Sequence, residues 1–453
     1  MKTFLLRVTN PIGPTFRNVL VNTIGFFPFL LFMGLSDGKS LESILPFVCY
    51  YTCKVLGIFL IREVKESISS LALLKIALLC GISGSLCVIA GSWYPIFYSF
   101  AGILIGLSAS WLGAANTAFK QRMSKKEASV SLPLLILAVL LLLMSLHLTG
   151  DIRMVSTFFC YFIYFLGAYS ALVQVANEQT DSKEKQILTT EALFSSHDFW
   201  LFGGMCICLF SLRLGRLLKD GWPIKWALAV FFILFVLFVI RLIHQNKNWQ
   251  IPHYLNVLAF LNGALGNFLF LFGSLYVVNL FGKGPETRLF YVPYALGMIG
   301  SLLTYAKLAK KGENVVRTVI WSVILLGFWS LLIPSFVAIS FTLLSYGHFL
   351  LNQWVSGCYV KLEKFSIEQR VFIKQTTQSK GALIHQFSLM GLLMAVNAFY
   401  QEPFTFFMRI TNPIAVDTQA VMIFTTVKFL IVGLFTVIIG WYWYSEQKQV
   451  VKG

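Results

Sequence analysis

Charge is scarce in this chain. Asp, Glu, Lys and Arg together make up 12% of its 453 residues, about half the share of a soluble domain. Acid is scarcer still, with 19 Asp and Glu against 36 Lys and Arg. A chain so poor in charge cannot wrap its surface in water, which excludes a soluble enzyme and a disordered segment. The net charge of +17 would suit a nucleic-acid partner, but Lys and Arg gather in the cytoplasmic loops of membrane proteins, which accounts for it without one. The eight cysteines lie inside apolar runs with no His or acidic neighbour. They build neither a disulfide scaffold nor a metal centre and act as small hydrophobes. Neither a metal nor any other cofactor is expected. No Asn-x-Ser/Thr acceptor occurs anywhere, which fits a prokaryotic inner (plasma) membrane. The N-terminal apolar run behind Lys2, Arg7 and Arg17 lacks a small-residue cleavage site, so it is expected to stay as a first helix.

What the chain has in excess is apolar surface: 57% hydrophobic residues, 43 Phe, 11 Trp and 17 Tyr, with a mean hydropathy of +0.75. A spanning helix needs ~20 largely apolar residues. Windows of that kind fall at about 17–36, 43–61, 70–91, 95–118, 130–149 and 154–175. A polar stretch follows from Asn177 to His197, with Asp181, Lys183, Glu184 and Lys185. Eight further windows fall at about 198–213, 223–241, 251–281, 288–307, 315–334, 336–360, 381–400 and 418–444. The expected fold is therefore all-α and polytopic, with about 14 transmembrane helices. The spacing divides it into 1–176, a polar loop with two inserted helices over 177–250, and 251–453.

Polar side chains inside hydrocarbon are costly and face a bundle interior or a wet cavity. Here they concentrate in four windows. The first holds Asn18 and Asn22, four apart and so on one face. The fourth holds Ser108, Trp111 and Asn116; the ninth Asn256, Asn262 and Asn267; the twelfth His348, Asn352 and Gln353. All 19 acids fall in loops or at the ends of windows, whereas Lys54, Lys75 and Lys428 lie within them. Lys75 sits near a helix end and snorkels. Lys54, beside Tyr50 and Tyr51, is deep enough to lend positive potential to a cavity, or else snorkels as well. Amides also serve as packing glue between helices. Gly102-x3-Gly106 and Gly297-x2-Gly300 suit tight helix crossings.

An internal echo links the two halves. Gly57-Ile-Phe-Leu-Ile-Arg62 leads the second window into a basic loop, and the tenth runs from Gly300 through Tyr305-Ala-Lys307-Leu-Ala-Lys310-Lys311-Gly312 into another. Six, two and six helices with a basic turn after the second helix of each half resemble the fourteen-helix branch of the major facilitator superfamily. The signatures depart in detail. Ile61 stands where that family places Asp, Lys310 where an acid is common, and the fifth helix lacks the Gly-Pro pattern of proton-driven drug antiporters. The resemblance implies two six-helix bundles whose first and fourth helices line a central cavity, here the first, fourth, ninth and twelfth windows. It thus implies a secondary transporter for a small or amphiphilic solute, anionic solutes included. The substrate-binding set is Asn22, Lys54, Trp111, Asn116, Asn262, Asn267, His348, Asn352 and Gln353, in a monomer whose other partner is the lipid bilayer. Two alternatives stay open: a flippase for a lipid-linked saccharide or anionic lipid, and an intramembrane transferase. The transferase would need converging acids, His or a metal.

Orientation follows from the bias of Lys and Arg toward one side. With the N-terminus inside and 14 spans, 24 of the 36 fall on the cytoplasmic side and nine on the other. Reporter fusions at residue 185 and at the C-terminus are expected to read cytoplasmic; a fusion read as external at either place overturns the topology.

Overall fold

The structure is a computed structural model that describes residues 2–35, 40–60, 69–123, 130–179, 196–218, 221–245, 252–282, 285–362, 365–411 and 416–452. Every regular element among them is helical. The helices are α1 (Lys2–Thr23), α2 (Phe27–Leu35), α3 (Leu41–Leu56), α4 (Ser70–Gly91), α5 (Ile96–Met123), α6 (Leu132–His147), α7 (Gly150–Gln179), α8 (Ser196–Leu218) and α9 (Gly221–Gln245). They continue with α10 (His253–Asn267), α11 (Gly273–Phe281), α12 (Val292–Ala309), α13 (Glu313–Leu331), α14 (Val337–Val360), α15 (Ile367–Phe399), α16 (Phe404–Thr411) and α17 (Thr418–Lys452). Ten helical segments among the described residues are long and apolar enough to cross a bilayer. The chain is a multi-pass membrane protein.

Several windows take a form that composition alone does not dictate. The first is broken: α1 ends at Thr23, α2 begins at Phe27, and the two meet at 46°. Counted as one span, this pair makes eleven. The windows at 130–149, 198–213 and 223–241 hold shorter apolar helices, Leu132–Ser145, Gly203–Leu212 and Trp222–Leu234. The window at 251–281 contains a π-helical turn over Phe268–Phe272, between α10 and α11. The window at 381–400 begins much earlier, because α15 runs for 33 residues. At 1.5 Å per residue it is about 50 Å long, well beyond a ~30 Å hydrocarbon core. Its first two turns, Ile367-Glu-Gln-Arg-Val-Phe-Ile-Lys374, include Glu368, Gln369, Arg370 and Lys374, good helix formers whose polarity makes a hydropathy window discard the segment as loop. Most of the expected polar loop, including Asp181, Lys183, Glu184 and Lys185, lies outside the described residues, as does the basic turn after the second window.

Contacts divide the chain into two units, Met1–His244 with Glu363–Thr376, and Gln245–Leu362 with Thr377–Gly453. Within the first, α3 and α4 each pack on α5, α4 packs on α7, and α1 packs on α6 and α7. Within the second, α12 and α13 each pack on α14, α13 packs on α17, α11 packs on α17, and α10 packs on α14.

Glycine sets how close these helices come. A methyl on Gly102 would overlap the Pro46 carbonyl oxygen, and one on Gly106 would sit 2.6 Å from the Tyr50 oxygen, so α5 lies directly on the α3 backbone. Gly297 of α12 meets the Thr342 oxygen of α14 in the same way. The tightest crossing joins α10 to α15. There Gly263 faces the Gln378 carbonyl and Gly381 faces the Phe260 carbonyl, each with no room for a Cβ. Because backbone cannot swing aside as a side chain does, Gly263→Ala and Gly381→Ala are each expected to cost about 1–3 kcal/mol by overpacking. Gly433→Ala, with open space around it, is the control. The thermal unfolding midpoint of the purified protein should fall for the first two alone; equal midpoints would remove the close crossing.

Candidate functional site

In the second unit the close α10–α15 crossing brings polar groups of three helices together. Asn262 of α10 donates from Nδ2 to Asn352 Oδ1 of α14 at 3.3 Å, and Gln378 of α15 donates from Nε2 to the same oxygen at 3.0 Å. One amide oxygen thus holds two helices to a third. Asn262 is 2% exposed, and its own Oδ1 is buried with no hydrogen-bond partner. One and a half turns further along α10, Asn267 Nδ2 and His385 Nδ1 of α15 are 3.1 Å apart. The π-helical turn begins at the next residue; such insertions change which way the following side chains face. His385 is also flanked by the rings of Phe268 and Phe435, at 5.9 and 6.4 Å. The His348 imidazole lies over the Gly266 backbone, so that a Cβ there would approach Cε1 at 2.9 Å. Of the residues expected from sequence, Asn262 and Asn352 thus share a hydrogen bond, Asn267 pairs with His385, and His348 packs on Gly266. Gln353 turns instead toward α12, where its Nε2 lies 3.4 Å from Ser301 Oγ.

The expected residues of the first unit have other partners. Trp111 donates from Nε1 to the Gly57 carbonyl at 2.7 Å, in the 3-10 turn that ends α3. Asn22 is exposed and bonds its own helix, reaching the Asn18 carbonyl at 2.7 Å. Asn116 is 4% exposed and its Oδ1 has no hydrogen-bond partner. Lys54 donates from Nζ to the Gly25 carbonyl at 2.5 Å, inside the break between α1 and α2. Its ammonium lies 5.8 Å from the ring centre of Phe29 and 5.9 Å from that of Tyr50.

Sequence reasoning missed Gln378 and His385. They are seven apart on α15 and so share a face, a signal that was open to inspection. Gln378 lies ahead of the apolar window at 381–400, and the cavity helices implied by the resemblance do not include this one. A buried acid was missed as well. Glu368, in the first turn of α15, accepts from Ser70 Oγ at 3.1 Å and lies 3.5 Å from Arg122 Nη1. Arg17 is buried within α1, its guanidinium 4.9 Å from the Phe119 ring centre.

Chemically, the cluster in the second unit consists of uncharged amides with two imidazoles. It can donate and accept hydrogen bonds. No family model matches the chain, and comparison with curated proteins finds no match.

Replacing Asn352 with Ala removes the shared acceptor and strands two amide donors. Leaving buried donors unpaired costs about 1–3 kcal/mol, so Asn352→Ala should lower the thermal midpoint clearly. Asn22→Ala, at an exposed site, should stay within about 0.5 kcal/mol of the parent. The reverse order of the two midpoints would dissolve the cluster as described.

Proposed function

We propose that this chain is a secondary membrane transporter for a small or amphiphilic solute, with fourteen spans arranged as six, two and six. The observation that carries the reading is a repeated scheme of neighbours. Taking α1 with α2 as the first span of one half and α10 with α11 as the first of the other, the same four pairings recur. Second packs on fourth, third on fourth, third on sixth and first on sixth, as α3–α5, α4–α5, α4–α7 and α1–α7, and again as α12–α14, α13–α14, α13–α17 and α11–α17. Gly102 and Gly297 stand at the second–fourth crossing in either case. Paired repeats of this kind underlie many secondary carriers. The broken first span and the π-helical turn in the ninth add support, because discontinuous helices in transporters gather around bound solute. In this reading the Asn262–Asn352–Gln378 and Asn267–His385 groups hold the solute.

A panel of anionic, neutral and cationic solutes, screened by thermal stabilisation of the purified protein, tests it. A ligand at a hundred times its Kd adds about 2.7 kcal/mol to the folded state. At least one solute should raise the midpoint of the parent and fail to raise that of Asn267→Ala or His385→Ala. The same solute should then enter proteoliposomes saturably. Lipid scrambling without solute uptake would overturn the reading in favour of a flippase.

A further inference from the structure

We propose that the break in the first span is a binding site for a monovalent ammonium-type cation, and that Lys54 is its built-in occupant. The inference is independent of the transporter reading. Between Thr23 and Phe27 the chain leaves the helix, and its carbonyls need other partners, because hydrocarbon offers none. Tyr50 donates from its hydroxyl to the Ile24 carbonyl at 2.8 Å, and Lys54 Nζ reaches the Gly25 carbonyl at 2.5 Å. The ammonium also lies 5.8 and 5.9 Å from the ring centres of Phe29 and Tyr50. A carbonyl at a helix C-terminus with aromatic faces around it is the chemistry that selects an ammonium or alkali ion. The C-terminal ends of half-helices bind coupling cations in several carriers. Here the cation is tethered, so the bend holds whatever ions surround the protein.

The second unit repeats the device. Lys428, 2% exposed, donates to the Leu332 carbonyl just past α13 and to the Tyr276 hydroxyl, both at 3.2 Å, with the Tyr276 and Phe429 rings at 5.5 and 5.2 Å. A lysine, a tyrosine and a carbonyl freed at a helix end thus occur together twice.

The test is chemical rescue on the full chain. Thermal midpoints of the parent, Lys54→Ala and Lys54→Met are compared in choline, sodium and ethylammonium chloride at equal ionic strength. Choline, whose methylated nitrogen has no N–H and cannot approach the Gly25 carbonyl closely, is the reference cation. The parent should show one midpoint in all three salts. Lys54→Ala should unfold earlier in choline and regain most of the lost shift in ethylammonium or sodium. Lys54→Met, whose thioether fills the space, should unfold earlier and respond to none. A Lys54→Ala midpoint equal to the parent's in choline overturns the proposal, as does a loss that no cation restores or one restored equally in Lys54→Met. If Lys54→Ala does not accumulate, it is produced with ethylammonium throughout. Accumulation only with that ion supports the site; failure with and without it counts against it.

Discussion

A backbone carbonyl that leaves its helix inside a bilayer has no water to turn to, and much of this architecture answers that constraint. Tyr50 and Lys54 cover the carbonyls freed where α1 gives way to α2. Trp111 covers Gly57 at the end of α3, and Lys428 covers Leu332 past α13. In each case the donor sits on a different helix from the carbonyl it serves. The repair of one helix end therefore fixes a neighbour: α3 to the break in the first span, α5 to α3, and α17 to α13. The intramembrane lysines and tyrosines act as struts whose position decides which helices touch.

Close approach through glycine is the complementary device. Helices separated by a layer of side chains cannot bring short amides within hydrogen-bond distance. Gly263 and Gly381 remove that layer between α10 and α15, and Gln378 can then reach Asn352 while Asn267 reaches His385. Gly266 similarly makes room for the His348 ring. The polar cluster is thus a consequence of the glycine seam, and the two occupy the same stretch of α10. Lipid supplies no hydrophobic driving force between helices, so van der Waals packing along such close seams is a principal source of helix association. One set of residues serves both stability and the gathering of polar groups.

Much of this was legible in the sequence and some was not, for identifiable reasons. The apolar windows at 43–61, 70–91, 95–118 and 336–360 fall within a few residues of spanning helices, because hydropathy is a property of the segment itself. Gly102-x3-Gly106 was readable as a crossing for the same reason: only close packing uses two small residues one turn apart. The Asn262–Asn352 pairing was anticipated as a gathering of amides, though not as a bond. What could not be read were partnerships with backbone. The sequence marks Lys54 as a buried charge but does not reveal that a carbonyl 29 residues earlier would claim it. The start of α15 was hidden by its polarity, since hydropathy cannot separate a solvated loop from a helix whose polar groups find partners in the fold. Glu368, held by Ser70 and Arg122, is such a case.

These partnerships also reassign the roles of charge and polarity. From sequence alone, Lys54 reads as the counter-charge for an anionic solute. Its ammonium instead lies against Gly25 and two rings, and Lys428 is placed in a similar setting in the second unit. A charge bound to helix carbonyls contributes to the shape of the protein first, and its field is partly cancelled by the dipoles it touches. The groups that gather in the second unit are amides and imidazoles, whose hydrogen bonds can be exchanged at little electrostatic cost. Bonds that are easily exchanged suit a carrier that must release what it holds, whereas a tightly paired ammonium suits a hinge that must keep its angle. On the transporter reading, the division of labour is physical: buried cations hold the bends, and neutral polar groups meet the solute.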